Sequence, residues 1–67
     1  MTNAFRTEED AEAWVMQLRD AHRDPETGDL WARDPIHRAM GKAYINRCVA
    51  FTPKGRRVAA WSVQIGA

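Results

Sequence analysis

The sequence predicts a small α+β domain in which an N-terminal amphipathic helix packs on a C-terminal antiparallel β-hairpin, with a short second helix between them. Apolar residues recur at helical spacing near the N-terminus, and apolar and polar residues alternate on both sides of a turn at 52–55. A chain of 67 residues is long enough for one domain only. We therefore treat residues 1–67 as a single domain.

The first predicted helix spans residues 8–22. Thr7 is a favourable N-cap, and the acidic residues at 8–10 occupy the first turn, where the helix dipole favours anions. Pro25 disfavours helical backbone at the residue before it, so the helix must end upstream of that point. The apolar stripe predicted to face the core, with a histidine at its end, consists of Ala11, Trp14, Val15, Leu18 and His22.

The middle of the chain predicts a turn at 24–29 and a short second helix at 35–40. Asp34 followed by Pro35 is a typical helix start, with aspartate as the cap and proline in the first helical position. Gly41 is expected to end this helix. A strand around 30–33 remains open as an alternative, and it would make the sheet three-stranded.

The hairpin prediction includes its register. If Thr52 pairs with Arg56, one face of the ribbon is apolar apart from two arginines, and a slip by one residue mixes apolar and polar side chains. Two strands alone are rarely stable in water, so the first helix is expected to cover the apolar face. The predicted pairs are Ile45 with Val63, Arg47 with Trp61, Val49 with Ala59 and Phe51 with Arg57.

Charge is divided between the two halves of the chain. Residues 1–34 hold all nine acidic residues and four arginines, which gives 4 − 9 = −5. Residues 35–67 hold six cationic residues and no acidic one, a net charge of +6. Such asymmetry indicates that electrostatics selects the partner, although it does not determine the fold.

The acidic helix is the first candidate binding surface. Its carboxylates would face a basic protein partner, as nucleic-acid phosphates do. The alternative is that they only complement the helix dipole and keep the protein soluble. The predicted acidic surface consists of Glu8, Glu9, Asp10, Glu12 and Asp20.

The basic hairpin is the second candidate. A basic β-ribbon follows a phosphate backbone or enters a groove, and an exposed tyrosine stacks on a base. The alternative is that these charges protect the hairpin edge from aggregation. Arg47 opposite Trp61 also predicts a cation–π pair. The residues of this surface are Met16, as an apolar anchor, with Tyr44, Arg47, Lys54, Arg56 and Arg57.

Several classes of protein are disfavoured. A single cysteine, Cys48, rules out an internal disulfide, and with His22 and His37 it forms no metal-ligand or nucleophile pattern. We expect no enzymatic activity, no cofactor and no metal. No apolar run approaches the roughly 20 residues that span a bilayer. We therefore expect a cytoplasmic protein without a membrane partner, monomeric or weakly dimeric.

The run Thr7-Glu8-Glu9-Asp10-Ala11-Glu12, in a short chain without disulfides, resembles the small anti-CRISPR proteins of phages and mobile elements. The resemblance is one of size, composition and charge, without a diagnostic motif. It implies a non-enzymatic inhibitor in the bacterial cytoplasm that binds a CRISPR effector complex subunit and blocks access to target DNA. The acidic residues would then approach cations that normally hold DNA. The basic C-terminal half departs from this pattern and supports the alternative, a small nucleic-acid-binding module.

Overall fold

The computed structural model describes residues 4–66 as one antiparallel sheet of five strands with a single helix on one face. Across the sheet the strands lie in the order β1-β5-β4-β3-β2, and each neighbouring pair is antiparallel. In chain order the elements are β1 (Ala4–Phe5), α1 (Glu8–Val15), β2 (His22–Arg23), β3 (Leu30–Arg33), β4 (Met40–Phe51) and β5 (Arg57–Gly66).

The predicted fold class is wrong. A helix on a two-stranded hairpin with a second short helix was expected, but the chain is mostly a five-stranded sheet. One difference lies in residues 22–43, where two short loops fold β2, β3 and the start of β4 into successive antiparallel pairs. The other is β1, which adds a strand on the opposite edge by pairing with β5. The strand considered as an alternative at 30–33 is β3.

Helix α1 begins at the predicted cap but ends much earlier than residue 22. The side-chain oxygen of Thr7 accepts a hydrogen bond of 3.1 Å from the backbone N–H of Asp10. After Val15 the backbone tightens into i to i+3 hydrogen bonds, and Asp20 adopts a left-handed φ of 59°. The chain can then enter β2, which pairs with β3, so sheet pairing overrides the helical periodicity of the sequence.

The predicted helix at 35–40 is wrong as well. The carboxylate of Asp34 does cap a turn, because it accepts hydrogen bonds from the N–H groups of Ile36, at 2.8 Å, and His37, at 3.2 Å. The turn stops after one revolution, since the N–H of Asp34 donates to the carbonyl of Ala39 at 2.9 Å. Met40 is already the first residue of β4.

The predicted register of the hairpin is confirmed. Thr52 donates its N–H to the carbonyl of Arg56 at 2.9 Å, and Gly55 closes the turn with a φ of 81°. All of the predicted cross-strand pairs are present: Ile45–Val63, Arg47–Trp61, Val49–Ala59 and Phe51–Arg57.

The core lies between α1 and the part of the sheet nearest β3. Val15 is fully buried and packs with Leu30, Ala32 and Ala43. The backbones of β4 and β5 approach closely at Gly41, where a Cβ atom would overlap the carbonyl oxygen of Gly66. The half-buried apolar side chains around this core are Trp14, Leu18, Ala21, Ile45, Val63 and Ile65.

Candidate functional site

The far end of the β4–β5 hairpin extends beyond the rest of the sheet. Strand β3 pairs with β4 only at residues 40–43, and β1 pairs with β5 only at Trp61 and Ser62. Residues 47–60 therefore pair only within the hairpin. We call residues 47–61 the hairpin arm.

The length of the elements explains why the arm is uncovered. An eight-residue helix is about 12 Å long, whereas a twelve-residue strand is about 40 Å long. Helix α1 covers the sheet near Ala43 and Ile45 and leaves the far end of the same face in solvent. The large apolar side chains of that end are exposed: Val49 is 52% exposed and Phe51 is 68% exposed.

The face of the arm on the helix side has a regular arrangement of three cross-strand pairs. At the tip, Phe51 lies opposite Arg57. At the base, Arg47 lies opposite Trp61, and the Val49–Ala59 pair lies between them. On this face, each strand thus carries one aromatic and one cationic side chain, separated by a small apolar residue. From base to tip, the cation comes first on β4 and the aromatic ring comes first on β5.

A shallow groove of about 400 Å³ lies on the arm. Val49 and Ala59, which line it, are an apolar cross-strand pair, and Arg47 and Arg57 lie on opposite strands, one on each side of this pair along the ribbon. The residues that line the groove are Arg47, Cys48, Val49, Arg57, Val58 and Ala59.

The predicted cation–π pair is present at the base of the arm. The guanidinium carbon of Arg47 lies 5.8 Å from the centroid of the Trp61 ring. Contact with the ring orients the guanidinium group without neutralising its charge. The backbone of Trp61 also pairs with that of Phe5 in β1, and the Phe5 ring lies 5.8 Å from the Trp14 ring, centroid to centroid, so β1 connects the base of the arm to α1.

The charges of the arm are uncompensated. It carries four cationic residues and no acidic one. Within residues 4–66, no carboxylate lies within ion-pair distance of any of the four, and all four residues are exposed. They are Arg47, Lys54, Arg56 and Arg57.

Among residues 4–66, the ion pairs involve acidic residues of α1 and of the segments before and after β2. The Oδ2 atom of Asp20 lies 3.0 Å from Nε of Arg33, and Oε2 of Glu12 lies 3.7 Å from Nη2 of Arg23. The Oδ2 atom of Asp29 lies 3.2 Å from Nζ of Lys42. The Thr27 hydroxyl and Lys42 together lower the pKa of Asp29. Three acidic side chains are thus paired with cations of the body, by which we mean the described residues outside the arm.

The predicted acidic surface is only partly assembled. Glu8, Glu9 and Asp10 are exposed together in the first turn of α1, and in the part of the chain described here no cation pairs with them. Glu12 lies on the same helix and is paired with Arg23. Asp20 lies outside the helix, in the turn before β2, and is paired with Arg33.

Met16 and Tyr44 lie away from the arm. Met16 is the C-cap residue of α1 and is 50% exposed. Tyr44 lies on the sheet face opposite the helix, is 46% exposed, and has the Lys42 ammonium 5.3 Å from its ring. Of the residues predicted for the basic surface, the four cations therefore lie together on the arm, whereas Met16 and Tyr44 lie outside it.

The sequence predicts that the first helix covers the hairpin face that carries Val49 and Phe51, but in the structure both side chains are exposed. The alternation correctly assigned them to the helix side of the ribbon. The length of the elements could have predicted this exposure. Even a helix over residues 8–22 is only about 22 Å long, whereas the twelve-residue strand is about 40 Å long. That comparison predicts an uncovered end on any hairpin with strands this long.

Comparisons with known proteins give no further assignment: no family model, curated protein or solved structure matches the chain. Within residues 4–66, the one helix is too short and too polar to cross a membrane.

Proposed function

We propose that the protein binds nucleic acid through the hairpin arm, with the four arm cations contacting backbone phosphates. The observation that carries this proposal is the uncompensated charge of a projecting ribbon. The four arm cations are exposed and unpaired within the described chain, while Glu12, Asp20 and Asp29 are paired with other cations.

A local cluster is sufficient for such binding even though the whole chain is nearly neutral. The formal net charge is +1, but the arm alone carries +4. At physiological salt the Debye length is about 8 Å, so a phosphate at the arm tip interacts mainly with the arm cations. Two-stranded ribbons also fit the dimensions of nucleic-acid grooves and backbones.

The salt dependence of binding tests this proposal directly. Four phosphate contacts predict that log K falls with log salt with a slope of about −3 to −4. Affinity should then fall about 50- to 150-fold between about 50 and 200 mM salt. The measurement is fluorescence anisotropy of labelled oligonucleotides titrated with the protein.

A matched pair of variants separates the arm from net charge. Lys54/Arg56→Ala removes two cations from the tip, and Arg19/Arg38→Ala removes two exposed cations from the opposite end of the sheet. The tip variant should lower the slope by about 1.5 and weaken binding, while the control variant keeps the slope. Equal effects of the two variants, or no salt-dependent binding by the unmodified protein, would refute the proposal.

A second candidate function is inhibition of a protein complex through the acidic start of α1. The observation in its favour is that Glu8, Glu9 and Asp10 are adjacent, exposed and unpaired in the described chain. By its resemblance to anti-CRISPR proteins, the partner would be a CRISPR effector subunit with a basic DNA-binding surface. Both candidates place the protein in the cytoplasm, where such partners are found.

This candidate has its own test. The protein is added to a purified CRISPR effector complex, and binding of target DNA by that complex is measured. Inhibition that is abolished by Glu8/Glu9→Lys and retained by Lys54/Arg56→Ala supports the second candidate. Undiminished DNA binding at a large excess of the protein contradicts it for the complex tested.

A further inference from the structure

We infer that the nucleic acid bound by the arm is single-stranded, with one base entering the groove between Arg47 and Arg57 and stacking on Phe51. This inference rests on the proposed function and specifies its ligand. It depends on the helix-side face of the arm, where the cationic and the aromatic side chains lie together.

The groove has the chemistry of a site for a base with flanking phosphates. The Val49–Ala59 pair that lines it is apolar and has short side chains. Arg47 and Arg57 lie on opposite sides of that pair along the ribbon and are both exposed. A nucleotide strand that crosses the groove diagonally therefore meets a cation on each side of the base.

Phe51 supplies the stacking surface. It is 68% exposed at the tip of β4, two residues beyond Val49 on the same face and directly opposite Arg57. An aromatic ring beside a guanidinium group is the pairing that single-strand-binding surfaces use, because the ring stacks on a base while the cation holds its phosphate. Trp61 and Arg47 repeat the pairing about 14 Å away along the ribbon, at its base.

The side chains of the arm favour a single strand over a duplex. In a duplex the faces of the bases are stacked on one another, and only their edges are accessible in the grooves. Arginine side chains can contact those edges, but the phenyl ring of Phe51 has no hydrogen-bonding group and binds a base by stacking. Stacking requires a free base face, which a single strand provides, and it discriminates weakly between bases.

The experiment compares three labelled probes of equal length at one salt concentration: a single-stranded oligonucleotide, its duplex, and an abasic single strand that keeps the phosphates. We expect the intact single strand to bind more tightly than both of the others. Equal affinity for the duplex or for the abasic strand would overturn the inference.

Variants assign the stacking to Phe51. Phe51→Ala should weaken binding of the intact single strand about fivefold or more and leave the salt slope unchanged, because no charge is removed. Phe51→Tyr should restore binding. The matched control is Ile36→Ala, which truncates another large apolar residue, 64% exposed in the loop before β4. A Phe51→Ala effect no larger than that of the control would overturn the inference.

The outcomes distinguish the inference from the proposed function. If no probe binds in a salt-dependent manner, the proposed function fails and the inference fails with it. If all three probes bind with the predicted salt slope and Phe51→Ala has no effect, the proposed function stands and the inference alone is wrong. Circular dichroism of each variant confirms that the sheet is intact.

Discussion

At the scale of single residues, Asp34 shows how one carboxylate fixes a loop. Its oxygen accepts hydrogen bonds from the N–H groups of Ile36 and His37. These bonds favour the ionised form and therefore lower the pKa of Asp34. The bond from Ile36 has the larger effect, and the bond from His37 the next largest. The Asp34 side chain therefore stabilises the folded protein more when it is charged than when it is protonated.

A pH dependence of stability follows from this lowered pKa. A carboxyl group with a lowered pKa in the folded state stabilises the protein above its ordinary pKa of 3.8, and this contribution is lost as pH falls through the lower, folded-state pKa. Asp34→Asn retains an acceptor oxygen but does not titrate. Between about pH 5 and about pH 2, urea unfolding of the variant should lose less stability than that of the unmodified protein. Parallel curves for the two proteins would contradict the role given to Asp34.

At the scale of elements, the loops at 24–29 and 34–39 have the same structure. Each begins with Asp-Pro, and the carboxylate of each aspartate accepts from the N–H groups two and three residues later. The carbonyl of the aspartate accepts a hydrogen bond from the N–H of the fifth loop residue, which is Gly28 in the first loop and Arg38 in the second. Both of these residues have a positive φ, 78° at Gly28 and 60° at Arg38. The aspartate N–H donates to the last carbonyl of the loop. The β2–β3 and β3–β4 hairpins are therefore closed by loops of the same structure.

The shared design predicts opposite effects of two substitutions. Gly28→Ala places a Cβ in a left-handed conformation and should lower the free energy of unfolding by about 1 kcal/mol. The new atom meets no neighbour within 4 Å, so the cost is that of the backbone alone. Arg38→Gly removes the corresponding strain and should leave stability unchanged or higher. Chemical denaturation of both variants measures this, and a stability lower in Arg38→Gly than in Gly28→Ala would contradict it.

The same loops show why parts of the fold were predictable and others were not. The register of β4 and β5 follows from a turn and from alternation over ten residue pairs, both of which are local signals. Asp34-Pro35 is ambiguous, because a helix and this loop start with the same cap and the same proline. What decides between them is β3, which can pair with β4 only if the chain reverses by residue 39.

At the scale of the whole molecule, the charge division of the sequence becomes a separation in space. Acidic residues from the first half pair with Arg23, Arg33 and Lys42 in the body, while the arm has only cations. Sequence reasoning identified the basic residues of the site, because charge is countable along a chain. It missed the exposure of Phe51, because exposure depends on how far the helix reaches over the sheet.

Local stability should follow the same division between body and arm. The body contains the buried cluster around Val15 and Leu30, whereas residues 47–60 of the arm pair only within the hairpin and the large side chains of Val49, Phe51 and Val58 are exposed. Regions with few buried apolar contacts open without global unfolding. In hydrogen exchange, amides bonded across β4 and β5 in the arm should be less protected than those near Ala43.

A core substitution tests whether the arm opens separately. Leu30 is 5% exposed, so Leu30→Ala should lower the free energy of unfolding by at least about 2 kcal/mol. Body amides that exchange only through global unfolding should then exchange about 30-fold faster or more. Arm amides, which exchange through local opening, should keep their rates, because that opening does not expose Leu30. If arm and body amides accelerate equally, the arm unfolds with the core and is not a separate unit. Unchanged arm rates would mean that substitutions at the tip report on binding rather than on the fold.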